Sequence, residues 1–205
     1  MNKDNKKEWY NNADILTNII LVMALVIIVI SQAIAVNSNL TATAMIRNLL
    51  NHNFTYIIGI IYFLFLKTKV GRKNFNLLNV IYICLYIMIV VASIFTVFQS
   101  FGLSAIISLV LNVVIVCYMM YTFLPETRLW KELKFNKLPI SDLKNEWLYY
   151  AVCVISIGLL LVNLIDAFDF SGVIITMFDT VYIILFSRYI YLYKEYIDMN
   201  SKKVK

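Results

Sequence analysis

Polar residues with helical spacing in the second half of the chain are the strongest candidates for chemistry. Ser104, Ser108 and Asn112 recur every four residues, which places them on one stripe of a helix. Asn163 and Asp166 are three residues apart and share one face of a later helix. Their hydroxyl, amide and carboxylate oxygens could accept hydrogen bonds from a solute or bind a cation. They could equally join neighbouring helices, at roughly 1 kcal/mol for each hydrogen bond.

Asp179 stands out from this set because it interrupts a long apolar run. It lies eight residues into that run, which corresponds to a depth of about 12 Å by helical rise. A carboxylate at such depth in a membrane costs roughly 2.5 to 3.5 kcal/mol, so it should face protein or water and needs a partner or a proton. We predict a shallow pocket lined by Asp179 and Asn112, with Asn163 and Asp166 at its mouth. The alternative is that Asp179 only completes a hydrogen-bond network between helices.

Recognisable motifs for catalysis and for metal or cofactor binding are missing from the sequence. His52 is the single histidine, so a zinc site built on paired histidines cannot form. There is no Gly-X-Ser-X-Gly nucleophile elbow, no phosphate-binding glycine loop and no intramembrane pair of carboxylates. We therefore expect a protein that is not an enzyme and that holds neither a cofactor nor a metal. An intramembrane enzyme is the least favoured class.

The elements that position these residues are apolar runs of membrane-spanning length. Hydrophobic residues make up 61% of the 205 residues and charged residues 15%, against about 45 to 50% and about 25% in soluble domains. Most of the runs approach the ~20 residues that a helix needs to cross a bilayer, although the second is short. We predict an all-α, polytopic membrane protein with one domain, 1–205, and a bundle of six transmembrane helices. Their bounds are about 15–36, 54–66, 77–98, 102–124, 147–166 and 171–193.

The basic residues predict the orientation of the chain. If the N-terminus is cytoplasmic, every lysine and arginine except Arg47 falls on the inner side of the six spans, in agreement with the positive-inside bias. Both termini are then cytoplasmic. Lys67, Lys69, Arg72 and Lys73 form an inner basic cluster that faces the lipid, and such cations attract anionic headgroups at roughly 1 kcal/mol per residue.

We therefore expect the net charge of +6 to interact with an anionic inner leaflet of the membrane. No nucleic-acid partner is expected, because no RNA-binding or DNA-binding motif accompanies the charge. The abundance of Ile, Asn, Lys and Tyr with few Gly and Pro resembles low-GC bacterial coding. We therefore place the protein in a bacterial plasma membrane as a multi-pass component.

Aromatic residues are predicted to mark the boundaries of the membrane. Trp9, Trp130 and Trp147 fall where the inner headgroup region should be, and amphipathic rings prefer that depth. The second span passes through Tyr62 and Phe63 before its basic flank. The same interfacial preference is expected to explain that pattern.

Two functional classes remain in competition. The favoured class is a non-catalytic accessory protein, such as an assembly partner, a sensor or a self-immunity protein, with another membrane protein subunit as its partner. The alternative is a small transport component that captures a solute or cation from the outer side near Asn112 and Asp179. A transport component predicts a sizeable cavity in the outer half of the bundle. An accessory protein predicts tight packing there and an organised basic inner surface.

Overall fold

The computed structural model describes residues 13–37, 41, 43, 53–99, 102–124, 145–166 and 170–203, and every regular element within them is a helix. Each helix satisfies its own backbone hydrogen bonds, as a segment surrounded by lipid must. In chain order the helices are α1 (Ala13–Asn37), α2 (Phe54–Lys67), α3 (Lys69–Lys73), α4 (Phe75–Gln99), α5 (Leu103–Phe123), α6 (Asn145–Asp166) and α7 (Phe170–Lys203).

Five of these helices, α1, α4, α5, α6 and α7, are long and apolar enough to cross a membrane. The apolar helix α2 has 14 residues, or about 21 Å, against a hydrocarbon core of about 30 Å. Large apolar side chains point away from the bundle, among them Val29, Phe98 and Ile165 at 65%, 83% and 80% exposure. Such extensive apolar surface is unfavourable in water. It is the surface of a membrane-embedded helical bundle.

The long helices and α2 form a closed ring in chain order. α1 packs against α2, α2 against α4, α4 against α5, α5 against α6, α6 against α7, and α7 returns to α1. Neighbours run in opposite directions: the Asn53 amide at the start of α2 donates to Ser31 late in α1. At the other end of α2, Lys67 donates to the amide oxygen of Asn18, early in α1. A ring of alternating helices is the arrangement that short connections between spans favour.

We call the end of the bundle that carries Lys67 and Lys69 the basic end, and the end that carries Asn37 and Asn53 the far end. At the basic end, Thr68 ends α2 and caps the start of α3. Its hydroxyl donates to the Phe65 carbonyl oxygen at 2.7 Å and accepts from the Gly71 amide at 3.0 Å. A Cβ at Gly71 would lie 1.9 Å from the Phe65 carbonyl oxygen, so only glycine fits this turn.

α7 differs from its prediction in length. Its apolar span ends at Tyr193, where the sequence predicts it to end, but the helix continues to Lys203. Its 34 residues correspond to about 51 Å. The helix therefore extends well beyond the hydrocarbon thickness at the basic end.

The centre of the bundle, where α2, α4 and α7 meet, is aromatic. Tyr62 stacks on Tyr82 with ring centroids 4.2 Å apart, and Phe186 packs edge-on against Tyr82 at 5.8 Å. Tyr62 and Phe63 are 2% and 1% exposed, so both side chains are buried inside the bundle and do not face lipid. Aromatic rings bury more apolar area than most side chains, which stabilises the interior. The Tyr62 hydroxyl also finds a buried partner, the amide oxygen of Asn79, at 2.8 Å.

Trp147 is 66% exposed, close to the start of α6. Its interfacial position stays a prediction. Trp9 and Trp130 lie outside the described residues.

Candidate functional site

A partly open cavity of about 300 Å³ lies at the far end of the bundle between α1, α2 and α7. Seven residues line it, namely Ile27, Ser31 and Ile34 of α1, Asn53 and Tyr56 at the start of α2, and Ile175 and Asp179 of α7. The volume is at the lower limit of small-molecule sites. The cavity therefore suits a compact solute.

The short length of α2 explains why the cavity forms. α2 begins after Asn53, which is level with Ser31 because their side chains hydrogen-bond. α1 continues from Ser31 to Asn37, a further rise of about 9 Å along the helix. Over this distance the described wall of the cavity includes Ile34 of α1 but no residue of α2.

Asp179 lines this cavity and has one buried oxygen without a described partner. Its Oδ1 atom is inaccessible to solvent and has no hydrogen-bond partner among the described residues. None of the described residues that line the cavity has a cationic side chain. A buried acceptor without a partner costs about 1 to 3 kcal/mol, and more when it is charged. The site is therefore arranged to receive a hydrogen-bond donor or a proton.

The other polar groups of the wall are held in place by their own contacts. The Asn53 amide nitrogen donates to the Ser31 hydroxyl at 3.1 Å, and Asn53 is 1% exposed. The Tyr56 ring packs edge-on against Tyr182 at 5.0 Å. The wall thus combines one carboxylate, one amide, one hydroxyl and one phenol with three isoleucines, an arrangement that orients a ligand with a polar and an apolar part.

Asp179 and Asn112, predicted to line one pocket, are not brought together in this cavity. Asp179 lines it with residues of α1 and α2. Asn112 instead donates its amide nitrogen to the Ser93 hydroxyl of α4 at 2.9 Å. In Asn112 the structure thus shows a hydrogen bond between helices, which was the alternative explanation of the stripe.

The remaining predicted site residues lie away from the cavity wall. Ser104 and Ser108 are half-buried on α5, and Asn163 is half-buried on α6. None of them is among the residues that line the cavity. The side chain of Asp166 lies outside the described part of the chain. Their role in binding stays a prediction.

The inner basic cluster is described in part. Lys67 and Lys69 are exposed at the basic end, and Lys67 also donates to Asn18. The side chains of Arg72 and Lys73 lie outside the described residues. Both lysines lie near helix ends, where such side chains commonly reach the headgroup region.

Ser31, Asn53 and Tyr56 are cavity residues that sequence reasoning missed. A signal was present for Ser31, since Ser31 and Gln32 interrupt the otherwise apolar run from Ile19 to Val36 in α1. Asn53 directly precedes an apolar run and is the N-cap residue of α2. Neither signal says which helix the residue faces.

Within the described ranges, no group of three or more His, Cys, Asp or Glu residues could hold a metal ion. Comparison of the chain with protein-family models, with curated proteins and with solved structures finds no significant match. The function is therefore argued from the cavity itself.

Proposed function

We propose that this chain is a six-span protein of a bacterial plasma membrane with both termini in the cytoplasm. Two observations support this topology. α2 packs between α1 and α4 with Tyr62 and Phe63 in the centre of the bundle, which is the position of a sixth span. Lys67 and Lys69 lie at one end, and the positive-inside bias makes that end cytoplasmic. The cavity at the far end then opens towards the outside.

We further propose that the protein is a small transport component that captures a solute from the outer side. The observation that carries this proposal is the cavity with the unpartnered carboxylate oxygen of Asp179. An accessory, assembly or self-immunity role predicts tight packing in this half of the bundle. The cavity favours the transport alternative over that role.

The continuous helices favour a capture subunit over a carrier that works alone. Many secondary transporters bind their ions with interrupted helices and unwound backbone near the membrane centre. Here α1, α4, α5, α6 and α7 are each continuous. A second membrane subunit is therefore the expected partner, and it would supply the energy and the release step.

Native mass spectrometry tests the proposal. We expect the wild-type protein, purified in mild detergent from its own membranes, to retain a small molecule that Asp179→Asn loses. Glu146→Gln is the matched control, because it removes an exposed acid at the start of α6 and should leave the retained molecule in place. A wild-type protein that retains nothing and is stabilised by no solute would contradict capture.

A further inference from the structure

We propose that the occupant of the cavity is a small organic ammonium ion, with its N–H donors on Asp179 and a short apolar chain against the isoleucines. This inference rests on the proposed capture of a solute and adds the chemical class of that solute. It is argued from the charge, the wall and the volume of the cavity.

The charge of the described wall favours a cation. Asp179 is the one charged side chain among the described lining residues, and its Oδ1 atom is buried without a partner among them. An ammonium group offers three donors and no acceptor, and charge-assisted hydrogen bonds are about twice as strong as neutral ones. An anionic ligand would be repelled by the ionised carboxylate of Asp179.

The composition of the wall argues against a metal ion. Calcium takes six to eight oxygen ligands and magnesium requires a near-octahedral set, whereas the described wall of this cavity contains a single carboxylate. A bare ion would also leave most of the 300 Å³ empty and three isoleucines without contact. A ligand with a cationic head and an apolar body uses both parts of the wall.

The wall offers both polar and apolar contacts. Asp179 and Tyr56 supply polar contacts, and a tyrosine ring is a favourable neighbour for a cation. Ile175 lies about one helical turn from Asp179, and Ile27 and Ile34 lie about one turn on either side of Ser31. A primary amine with a few carbon atoms matches this wall. A quaternary ammonium ion matches it less well, because it has no N–H to give to the carboxylate.

The test uses the full-length protein in lipid nanodiscs with n-butylammonium chloride as the probe. Binding is measured by calorimetry and by the shift in melting temperature. We expect saturable binding of n-butylammonium, and weak or no binding of tetramethylammonium, n-butanol, butyrate or calcium. Asp179→Asn should weaken n-butylammonium binding about 10- to 100-fold, the value of a hydrogen bond to a charged group. Glu146→Gln should bind as the wild type does.

Ile175→Phe provides a second variant in case Asp179→Asn does not fold. It reduces the volume of the cavity and leaves the carboxylate in place, so it should weaken n-butylammonium binding while the protein remains folded. Unchanged binding in both variants would overturn the assignment of the ligand to this cavity.

The outcomes separate the ligand class from the proposed function. Equal binding of n-butanol and n-butylammonium, or preferred binding of butyrate or calcium, would overturn the ammonium class and leave solute capture standing. A retained native solute without a cationic nitrogen would do the same. If nothing binds and nothing is retained, both the class and the capture proposal fail.

Discussion

At the scale of single residues, Gly59 is a tightly packed position in the core of the bundle. A Cβ at this position would lie 2.4 Å from the hydroxyl oxygen of Tyr182. The Tyr182 ring is fully buried between Tyr56 and Phe186, so it has little room to move. We expect Gly59→Ala to lower stability by about 1 to 3 kcal/mol, the usual cost of overpacking. The measurement is the apparent melting temperature in detergent.

Gly158 supplies the control for this prediction. No described atom lies within 4 Å of a Cβ built at Gly158, so Gly158→Ala should keep or slightly raise the stability of α6. Tyr182→Phe removes the atom that a Cβ at Gly59 would meet, and it should therefore rescue Gly59→Ala. Equal losses for the two alanine variants would show that the packing around Gly59 is not the cause.

The hydroxyls of Tyr62 and Tyr82 predict opposite results for the same substitution. The Tyr62 hydroxyl donates to the side-chain oxygen of the fully buried Asn79, whose amide nitrogen has no partner among the described residues. Tyr62→Phe should cost about 1 to 3 kcal/mol because it leaves the Asn79 oxygen unpaired as well. The Tyr82 hydroxyl is buried without a partner, so Tyr82→Phe should be neutral or stabilising. The measurement is the melting temperature of both variants. A larger loss of stability for Tyr82→Phe than for Tyr62→Phe would contradict these assignments.

At the scale of helices, the bounds of the spans could be predicted closely from the sequence. The apolar run at 54–66 corresponds to Phe54–Lys67 and the run at 77–98 to Phe75–Gln99, because charged and polar residues end each run. The extension of α7 to Lys203 was not predictable from hydropathy. Its last residues are polar and continue the helix beyond the apolar span.

The sequence could not predict which face of each helix points into the bundle. This explains why Asp179 and Asn112 do not share a pocket. A span surrounded by lipid is apolar on its outer face as well as its inner face, so periodicity does not identify the buried side. The depth of Asp179 was readable from its position in the run. Its cavity neighbours, Ser31 on α1 and Asn53 on α2, could not be read from the sequence. They depend on how α7 is rotated about its axis.

The pair of Ser93 and Asn112 tests the contact between α4 and α5. Their hydrogen bond of 2.9 Å joins the two helices, and such bonds are worth about 0.6 kcal/mol on average in membrane proteins, with a maximum near 1.7. A double-mutant cycle of Ser93→Ala and Asn112→Ala should give a coupling energy in this range. Ser156 donates to a carbonyl of its own helix, so Ser156→Ala combined with Asn112→Ala should be additive. Additivity of the first pair as well would contradict the contact.

At the scale of the whole molecule, the short α2 decides the topology. With α2 as a span, Asn37 and Lys69 lie on opposite sides of the membrane, and both termini lie on the same side. If α2 did not cross, Asn37 and Lys69 would share a side. A short apolar helix can cross when the bilayer thins locally or when flanking residues snorkel, at a modest cost per ångström of mismatch. The exposed Lys67 at the end of α2 is placed to snorkel.

Cysteine labelling of intact cells measures this directly. The background is a chain whose three native cysteines are replaced by alanine, and single cysteines are then placed at Asn37, Lys69 and Gln99, which are all exposed. A membrane-impermeant maleimide should label Asn37→Cys and Gln99→Cys from outside, because both lie at the far end. Lys69→Cys should react only after permeabilisation, because the positive-inside bias holds the basic end in the cytoplasm. Labelling of both Asn37→Cys and Lys69→Cys from outside, with Gln99→Cys protected, would replace the six-span topology with five spans.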